Sequence, residues 1–383
     1  MIEELEITNF KAFASTEVRF GGYTLLSGLN SSGKSTVIQA LALLRQARDY
    51  LRVRDDSSGL PLNGELVELG TGRDALTEDY VSTGDELEIG FRIQAKNGRE
   101  REWRFRYGPE DDFLPLTASR PSDAVLVDEG AFYGLYDSTF SVFREGFQYL
   151  RADRINPAVT FPRSYEMSVR RGFLGTRGEY ATDYLSHHQA DLVESTALRY
   201  PDTSSQLLAQ VEGWMGEICP GVRIQAAAIE RTDLVRLDYR FVHAEEVVTG
   251  PRRPTNVGFG LTYVLPIVIA CLTAKPGALL LLENPEAHLH PRGQSAMARL
   301  TCAAAASGAQ VVVETHSDHI LNGVRLAVKR GLLPAEDTVL QYFRRKGVGI
   351  DIVTPIIGSD GMISHWPTGF FDEWDHALDE LLD

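Results

Sequence analysis

Cysteine is scarce in this sequence of 383 residues, which contains only Cys219, Cys271 and Cys302. Their number is odd, and their wide spacing matches neither a disulfide framework nor a zinc-binding pattern. Because disulfides are rare in reducing compartments, this usage favours a protein of such a compartment.

Basic residues are also in deficit. Lys and Arg number 38 against 53 Asp and Glu, which gives a formal net charge of −15 at pH 7. A charge of this sign repels nucleic acid, so DNA binding would require a local basic patch. Binding of nucleic acid therefore stays a possibility that the net charge does not support.

Long apolar runs, a secretory leader and sustained heptads are missing as well. No run approaches the roughly 20 apolar residues of a membrane span. The first residues, MIEEL, lack the basic region and apolar stretch of a secretory signal. Without heptads a long coiled coil is not expected. We therefore expect a cytoplasmic protein with no membrane partner.

A phosphate-binding loop is the clearest motif that is present. Residues 28–35 read GLNSSGKS, which matches G-x-x-x-x-G-K-[ST]. The two glycines permit backbone angles that let consecutive N–H groups curl around phosphate oxygens. A short apolar run precedes the loop and a stretch without helix breakers follows it, so a chance Gly/Ser-rich turn is the weaker interpretation. The nucleotide contacts predicted from this motif are Gly28, Asn30, Ser31, Ser32, Gly33, Lys34, Ser35 and Thr36.

A second motif is an apolar run that ends in an acid. Residues 278–283 read ALLLLE, which predicts a strand buried on both faces of a parallel sheet. A carboxylate at the C-terminal end of such a strand faces the ligand-binding edge, so we expect Glu283 to reach Mg²⁺ directly or through water. Ser35 and Glu283 are the predicted metal residues, acting on one nucleotide. Because they lie far apart in the chain, a large insertion is expected between them.

Polar residues follow this strand and the next one. Residues 284–291 read NPEAHLHP, and the acid and histidines of this stretch also permit a metal-site interpretation. The lack of a second ligand cluster disfavours it. Residues 310–314 predict another buried strand, after which His316 is placed to hydrogen-bond a terminal phosphate. The alternative is a histidine that is simply satisfied at a strand end.

Two further stretches carry candidate phosphate contacts. A predicted helix begins near Gly258 and Gly260, where free N–H groups suit a phosphate held by a second subunit. Residues 149–157 predict a strand that ends at a proline-bearing loop. Its arginines, Arg151 and Arg154, either contact a phosphate or pair with nearby carboxylates.

The chain between the two main motifs has patterns of its own. Alternating apolar residues at 87–93 and 103–107 flank a Lys-Asn-Gly turn, which predicts a β-hairpin. Residues 181–218 have a helical pattern, and 235–241 alternate as a strand. With 43% hydrophobic residues, the chain has enough apolar material for one large or two moderate domains.

The order of these motifs resembles the ABC-type P-loop ATPase heads of the RecF/SMC/OLD class. The sequence is most similar to OLD-type ATPases and to the AAA-type ATPases of bacterial antiphage systems such as Septu. Its tail at 367–374 resembles a short C-terminal segment of unknown function that some members carry. The matching stretches are 9–13 (NFKAF), 28–35, 256–266, 283–291 (ENPEAHLHP) and 314–318 (ETHSD).

This resemblance implies an α/β fold: an ABC-type ATPase head with a mixed sheet, split by a central insertion that contains the β-hairpin and helices. We expect four segments along the chain, which differ in the motifs they contain. They are 1–70, the N-terminal lobe with Walker A; 71–250, a β-rich lobe plus the helical insertion; 251–345, the C-terminal lobe with the signature-like loop, Walker B and switch histidine; and 346–383, a C-terminal segment.

The resemblance also implies roles for individual residues, with ATP and Mg²⁺ as cofactors. Lys34 and Ser35 would hold phosphates and Mg²⁺, Glu283 would take the Walker B position, Gly258 and Gly260 the signature position across a head-to-head dimer, His316 the switch position, and Lys11 and Phe13 the place where the family contacts nucleotide.

Two departures from the family pattern matter. The residue after the Walker B acid is usually a glutamate that activates water, but here it is Asn284. An amide orients water but cannot accept its proton, so either Glu286 substitutes as the base or hydrolysis is slow. OLD enzymes also carry a C-terminal Toprim nuclease, for which the residues after His319 are too few. We expect no nuclease active site in this chain.

The leading functional hypothesis is an ATP-binding and ATP-hydrolysing protein that forms a homodimer or higher homo-oligomer. It would regulate a separate effector protein, such as a nuclease, in antiphage defence. The alternative is a DNA-repair or recombination ATPase that binds duplex DNA directly. A transporter ATPase subunit is a third hypothesis, which the poor fit to the L-S-G-G-Q signature weakens.

Overall fold

The computed structural model describes residues 1–51, 58–81, 87–120, 136–242, 248–347 and 349–382. Its strands follow the apolar patterns of the sequence. They are β1 (Ile2–Phe10), β2 (Phe13–Arg19), β3 (Tyr23–Gly28), β4 (Gly59–Pro61), β5 (Glu88–Ala95), β6 (Glu100–Arg106), β7 (Phe113–Arg120), β8 (Gln148–Leu150), β9 (Thr160–Pro162), β10 (Val222–Ala228), β11 (Leu234–Phe241), β12 (Leu279–Glu283), β13 (Gln310–Glu314), β14 (Thr338–Lys346) and β15 (Gly349–Val353).

The helices of the described residues stand mostly in the second half of the chain. They are α1 (Lys34–Leu51), α2 (Gly72–Ala75), α3 (Ala181–His188), α4 (Leu207–Gly216), α5 (Phe259–Leu272), α6 (Pro291–Ala306), α7 (Asp318–Lys329) and α8 (Glu373–Leu382). None of the helices in these residues combines the length and apolarity needed to cross a bilayer.

The chain forms two compact units. The first comprises Met1–Arg144, Glu336–Ile356 and Ile363–Asp383, and the second comprises Glu145–Ala335 and Ile357–Met362. The four segments expected from the sequence remain a prediction, because these units are defined by contacts rather than by the order of motifs.

An antiparallel sheet forms much of the first unit, with strand order β2-β1-β5-β6-β7-β4. The predicted hairpin is its β5–β6 pair, in which Phe91 lies opposite Trp103 and Ile89 opposite Phe105. These four side chains are buried. Alternation with period two therefore places one apolar face of the hairpin in the core, as the sequence indicates.

The P-loop strand belongs to a second set of strands in the first unit. Strand β3 pairs in parallel with β14, and β14 pairs with β15 in antiparallel orientation. Parallel and antiparallel pairing around α1 gives the mixed α/β architecture that the sequence predicts, and the fold class is confirmed.

The second unit contains three parallel strands, with β12 between β8 and β13. The register places Glu283 directly opposite Glu314, so the two apolar strands end in acids at the same edge. Helix α6 packs against α7 so closely that a Cβ on Gly323 would lie 2.3 Å from the Cβ of Ala298. The buried parallel strand predicted over residues 278–283 is confirmed as β12.

The helical pattern predicted over residues 181–218 is only partly correct. Helix α3 ends at His188 and α4 begins at Leu207, with turns and a short 3₁₀ segment between them. The intervening stretch contains a Pro-Asp-Thr-Ser-Ser run, whose residues favour turns over a continuous helix. Both helices pack against the small antiparallel sheet β10-β11-β9.

Candidate functional site

Positive φ angles and close contacts explain both glycines of the P-loop in the first unit. Gly28 has φ 136° and Gly33 has φ 94°, which side-chain-bearing residues rarely adopt. A Cβ on Gly28 would lie 2.2 Å from the Phe343 carbonyl oxygen, and one on Gly33 would lie 2.6 Å from Cζ of Phe13. Both positions therefore require glycine, which gives a steric reason for the two glycines of the G-x-x-x-x-G-K-[ST] motif.

Lys34 begins helix α1 and folds back over the loop. Its side chain is 3% exposed, and Nζ donates to the carbonyl oxygens of Gly28 (2.9 Å) and Leu29 (2.8 Å). Ser35, the next residue of the helix, is exposed. The positive end of the helix dipole, the ammonium group and an exposed hydroxyl thus lie together, which suits phosphate and a hard cation.

The remaining predicted loop residues divide into exposed and buried positions. Asn30 and Ser31 are exposed, and Ser31 adopts a left-handed φ of 59°. Thr36 is buried, and its N–H donates to the Gly33 carbonyl oxygen at 3.1 Å. The hydroxyl of Ser32 is buried without a hydrogen-bond partner among the described residues. An orphaned donor within the loop is consistent with a phosphate ligand.

Lys11 lies in the two-residue connection between β1 and β2, and Phe13 is the first residue of β2. Lys11 has φ 48°, its N–H donates to the Ala75 carbonyl oxygen, and partial burial lowers the pKa of its ammonium group. Phe13 is buried with its ring against Gly33. Phe13 therefore supports the P-loop by packing beneath it.

In the second unit, Glu283 is fixed by two donors, one within β8 and one just after it. The Tyr149 hydroxyl donates to Oε1 at 2.7 Å, and the Ala152 N–H donates to Oε2 at 3.0 Å. Burial is the main cause that raises the pKa of Tyr149 well above its ordinary value, and the negative charge of Glu283 is the second cause. The tyrosine therefore remains a hydrogen-bond donor at physiological pH.

Arg154 is a buried charged side chain, with 1% exposure. Its guanidinium donates to the carbonyl oxygens of Arg151 (3.0 Å), Glu283 (2.7 Å) and Asn284 (2.7 Å). The sequence left its partner open between phosphates and carboxylates. Its hydrogen bonds among the described residues go to backbone carbonyl groups, and a phosphate contact stays a prediction. Arg151 instead pairs with a carboxylate, that of Asp153 at 3.0 Å.

Glu286 lies beneath the strand end that carries His316. Its Oε1 accepts from the Thr315 hydroxyl (2.7 Å) and the His316 N–H (3.1 Å). The side chain is 9% exposed, and burial raises its pKa. Its Oε2 and the Oδ1 of Asn284 are buried without hydrogen-bond partners among the described residues. The structure thus brings Glu286 and the His316 backbone together.

The predicted signature glycines lie at the start of α5. Gly258 is the N-cap residue, and a Cβ on Gly260 would lie 2.8 Å from the His288 carbonyl oxygen. The His288 ring packs on Phe259 and Tyr263, with centroid distances of 5.1 and 4.8 Å. Gly260 therefore permits close contact between the helix start and the stretch that follows β12.

The histidines after Glu283 have separate structural contacts. His288 packs in the aromatic cluster, whereas His290 caps α6 by accepting from the Arg292 N–H. Within the described ranges, no three His, Cys, Asp or Glu side chains are grouped as metal ligands. The acid and histidines of this stretch are thus directed to different partners.

Sequence reasoning missed Tyr149, Ala152 and Thr315. The first two contact Glu283 only because β8 lies beside β12 in the sheet. Thr315 was visible in the ETHSD stretch, but its hydroxyl contact with Glu286 depends on the fold. The available signal was positional: Thr315 stands just beyond the predicted buried strand at 310–314, whereas Tyr149 and Ala152 lie within the stretch 149–157 that predicts a strand.

Comparisons with known proteins identify one family over most of the chain. The family model described as "AAA domain, putative AbiEii toxin, Type IV TA system" matches residues 24–322. A second model, described as "Protein of unknown function (DUF3696)", matches residues 333–381. The second match includes the tail that the sequence likened to a segment of unknown function.

Curated relatives are similar over a shorter stretch. The DNA replication and repair protein RecF of Porphyromonas gingivalis, in strains ATCC 33277 and W83, is 31% identical over 137 residues. The match covers 34% of this chain and 35% of each relative. The chain thus spans about a third of the length of these relatives.

Solved SMC head structures are similar at low identity. A head bound to the C-terminal winged-helix domain of ScpA gives a TM-score of 0.45 at 14% identity, covering 92% of this chain and 97% of that one. The Thermotoga maritima head gives 0.43 at 12%, covering 92% and 98%. A Pyrococcus furiosus head with an extended coiled coil and bound ScpA domain gives 0.48 at 14%, covering 100% and 99%.

The family assignment therefore rests on the sequence match and on the motifs described above, not on these weak structural similarities. The matched region contains the P-loop, the start of α5, the acid-tipped strand β12 and the end of β13. The chain belongs to the AAA-domain family described as "AAA domain, putative AbiEii toxin, Type IV TA system", and it carries a P-loop motif at 28–35.

Proposed function

We propose that this chain binds ATP with Mg²⁺ through the P-loop and hydrolyses the nucleotide slowly. The observation that carries the proposal is the loop at 28–35, with two glycines that steric contacts require, a buried Lys34 and an exposed Ser35 at the start of α1. Backbone N–H groups, an ammonium and a hydroxyl are the groups that bind a triphosphate and its cation.

We assign the acid–base chemistry to the residues at and just after the end of β12. Glu283 has both oxygens held by donors, so its carboxylate has a fixed orientation for a cation or its water. Asn284 has no proton-accepting carboxylate, whereas Glu286 has an unpartnered oxygen and a raised pKa. Bound Mg²⁺ would neutralise charge on the phosphates. We assign water activation to Glu286 and orientation of water to Asn284.

The experiment for this proposal measures ATP binding by calorimetry and phosphate release with and without Mg²⁺. We expect binding and slow, Mg²⁺-dependent release. A purified, folded protein that binds no ATP would exclude the proposal. Light scattering with and without ATP then tests whether nucleotide drives association into a homodimer, the arrangement in which Gly258 and Gly260 would contact a second subunit's phosphate.

The finer proposal is that nucleotide-driven association regulates a separate effector, such as a nuclease, in antiphage defence. It is supported by the resemblance of the ENPEAHLHP and ETHSD stretches and by a family description that names a toxin–antitoxin system. Phage challenge of cells carrying this gene alone, or with its neighbouring genes, separates the roles. Protection that requires both a neighbouring gene and Lys34 would support regulation of an effector.

A DNA-repair or recombination ATPase is the second candidate function. The similarity to RecF, named a DNA replication and repair protein, favours it over the aligned 137 residues. Direct binding to duplex DNA would be the distinguishing activity. The formal net charge of −15 opposes such binding.

Salt dependence separates the two candidates. Because the net charge opposes phosphate contacts, we expect no salt-sensitive binding of a fluorescent duplex at micromolar protein, with or without ATP. A DNA-binding ATPase with 6–10 phosphate contacts would instead lose roughly 10³–10⁵-fold in affinity between about 50 and 200 mM salt. Such a loss, measured by fluorescence anisotropy, would favour the repair function over the leading proposal.

A further inference from the structure

The end of β8 and the residues that follow it contact the end of β12. Leu150 pairs with Leu282 in parallel register, so the two strands end at nearly the same level. The segment 149–154 then supplies a tyrosine hydroxyl, a backbone N–H and a guanidinium to the Glu283–Asn284 turn. Three donors from one short segment thus converge on the end of one strand.

The contacts at Glu283 restrict its carboxylate. One oxygen accepts from Tyr149 at 2.7 Å, and the other accepts from the Ala152 N–H at 3.0 Å. Each oxygen retains a lone pair for another partner, because a carboxylate oxygen accepts more than one hydrogen bond. The two donors therefore fix the plane of the group without exhausting its capacity as an acceptor.

The contacts of Arg154 restrict the backbone rather than a side chain. Asn284 adopts a left-handed φ of 42°, and its carbonyl oxygen and that of Glu283 each accept from Arg154 at 2.7 Å. The planar guanidinium bridges the two successive carbonyls, and it lies 5.4 Å from the ring centroid of Tyr263. Burial lowers the pKa of Arg154 to about 10, so the group stays cationic at neutral pH.

We propose that Tyr149 and Arg154 are positioning residues for ATP hydrolysis: Tyr149 orients the Glu283 carboxylate, and Arg154 holds the turn that presents Asn284. This inference rests on the proposed ATPase function. It assigns a role to the YLRADR stretch at 149–154, which the P-loop and Walker B motifs do not include. Neither residue is assigned a contact with the nucleotide.

A matched pair of tyrosine variants tests the first part. Tyr149→Phe removes the hydroxyl from Glu283 but keeps the buried ring. Tyr200→Phe is the control, because Tyr200 also donates to a glutamate in the same unit, the Oε1 of Glu217 at 3.0 Å. Removing a hydrogen bond behind a metal ligand typically costs 10–100-fold in metal affinity or activity. We expect Tyr149→Phe to raise the Mg²⁺ concentration for half-maximal turnover about tenfold, with Mg²⁺-free ATP affinity unchanged.

A conservative arginine variant tests the second part. Arg154→Lys keeps the positive charge but cannot bridge two carbonyls with a planar group. We expect kcat to fall at least about tenfold with KM for ATP unchanged, since remote positioning affects the reacting geometry more than nucleotide binding. Thermal unfolding of each variant identifies any that fails to fold, in which case the Tyr149 and Tyr200 variants decide alone.

The outcomes distinguish this inference from the proposed function. If the native protein binds no ATP and releases no phosphate, the ATPase proposal fails, and the inference fails with it. If the native protein is active but Tyr149→Phe matches Tyr200→Phe in its Mg²⁺ dependence, only the positioning role is overturned. A shift in Mg²⁺ dependence confined to Tyr149→Phe supports the positioning role.

Discussion

Lys34→Ala is expected to lower the affinity for MgATP by at least about 100-fold. A hydrogen bond from a charged group contributes about 1.5–3 kcal/mol, which is roughly 10–100-fold in affinity. Lys34 is also the cation that lies against the loop, and its Nζ holds the Gly28 and Leu29 carbonyl oxygens in place. The variant therefore loses both the phosphate contact and the internal support of the loop. Isothermal titration with a non-hydrolysable ATP analogue measures the effect.

The control for this variant is Lys96→Ala. Lys96 lies in the same unit and forms an ion pair with Asp337, away from the P-loop sequence. The Lys96→Ala substitution removes an equal charge, so a general electrostatic effect would appear in both variants. We expect Lys96→Ala to bind ATP like the native protein. Equal affinity in native protein and Lys34→Ala, with both folded, would contradict the assignment of residues 28–35 as the nucleotide loop.

The sequence was sufficient to predict the elements whose causes are local. The P-loop could be read directly because the backbone angles at Gly28 and Gly33 and the close approach of Phe343 and Phe13 permit only glycine. The β5–β6 hairpin follows from period-two alternation around a turn. In each case the sequence pattern and the local geometry have the same physical origin.

The contacts of the Glu283 carboxylate could not be predicted in this way. Tyr149 is separated from Glu283 by 134 positions, and the two meet only because β8 is the parallel neighbour of β12. Apolar runs identify buried strands, but they do not specify which strand lies beside which. The same holds for Arg154, whose carbonyl partners are backbone groups and carry no side-chain signal in the sequence.

Asn284 places an amide directly after the Walker B acid Glu283. The sequence indicates that the usual water-activating glutamate is missing at this position. In the fold, the Asn284 amide oxygen is buried without a described partner, and Arg154 holds its backbone in a left-handed conformation. Asn284 is thus a fixed polar group, and the next carboxylate after it in the chain is that of the buried Glu286.

Glu286→Gln is therefore expected to reduce kcat by about 10²–10⁴-fold, the usual contribution of a general base. The amide keeps the shape and one acceptor for Thr315 and the His316 N–H, so MgATP affinity should be retained. Asn284→Ala is the comparison, and we expect less than a tenfold loss because an amide only orients water.

The pH profile provides a separate test of the same base. Burial is the main cause of the raised Glu286 pKa, and the hydrogen bond from Thr315 opposes it. A base works only when deprotonated, so turnover of the native protein should fall as pH decreases through this raised pKa. The Gln variant should lack that acidic limb, since its side chain does not titrate. An unchanged limb in Glu286→Gln, or a larger loss in Asn284→Ala, would assign the water-activating role to another group.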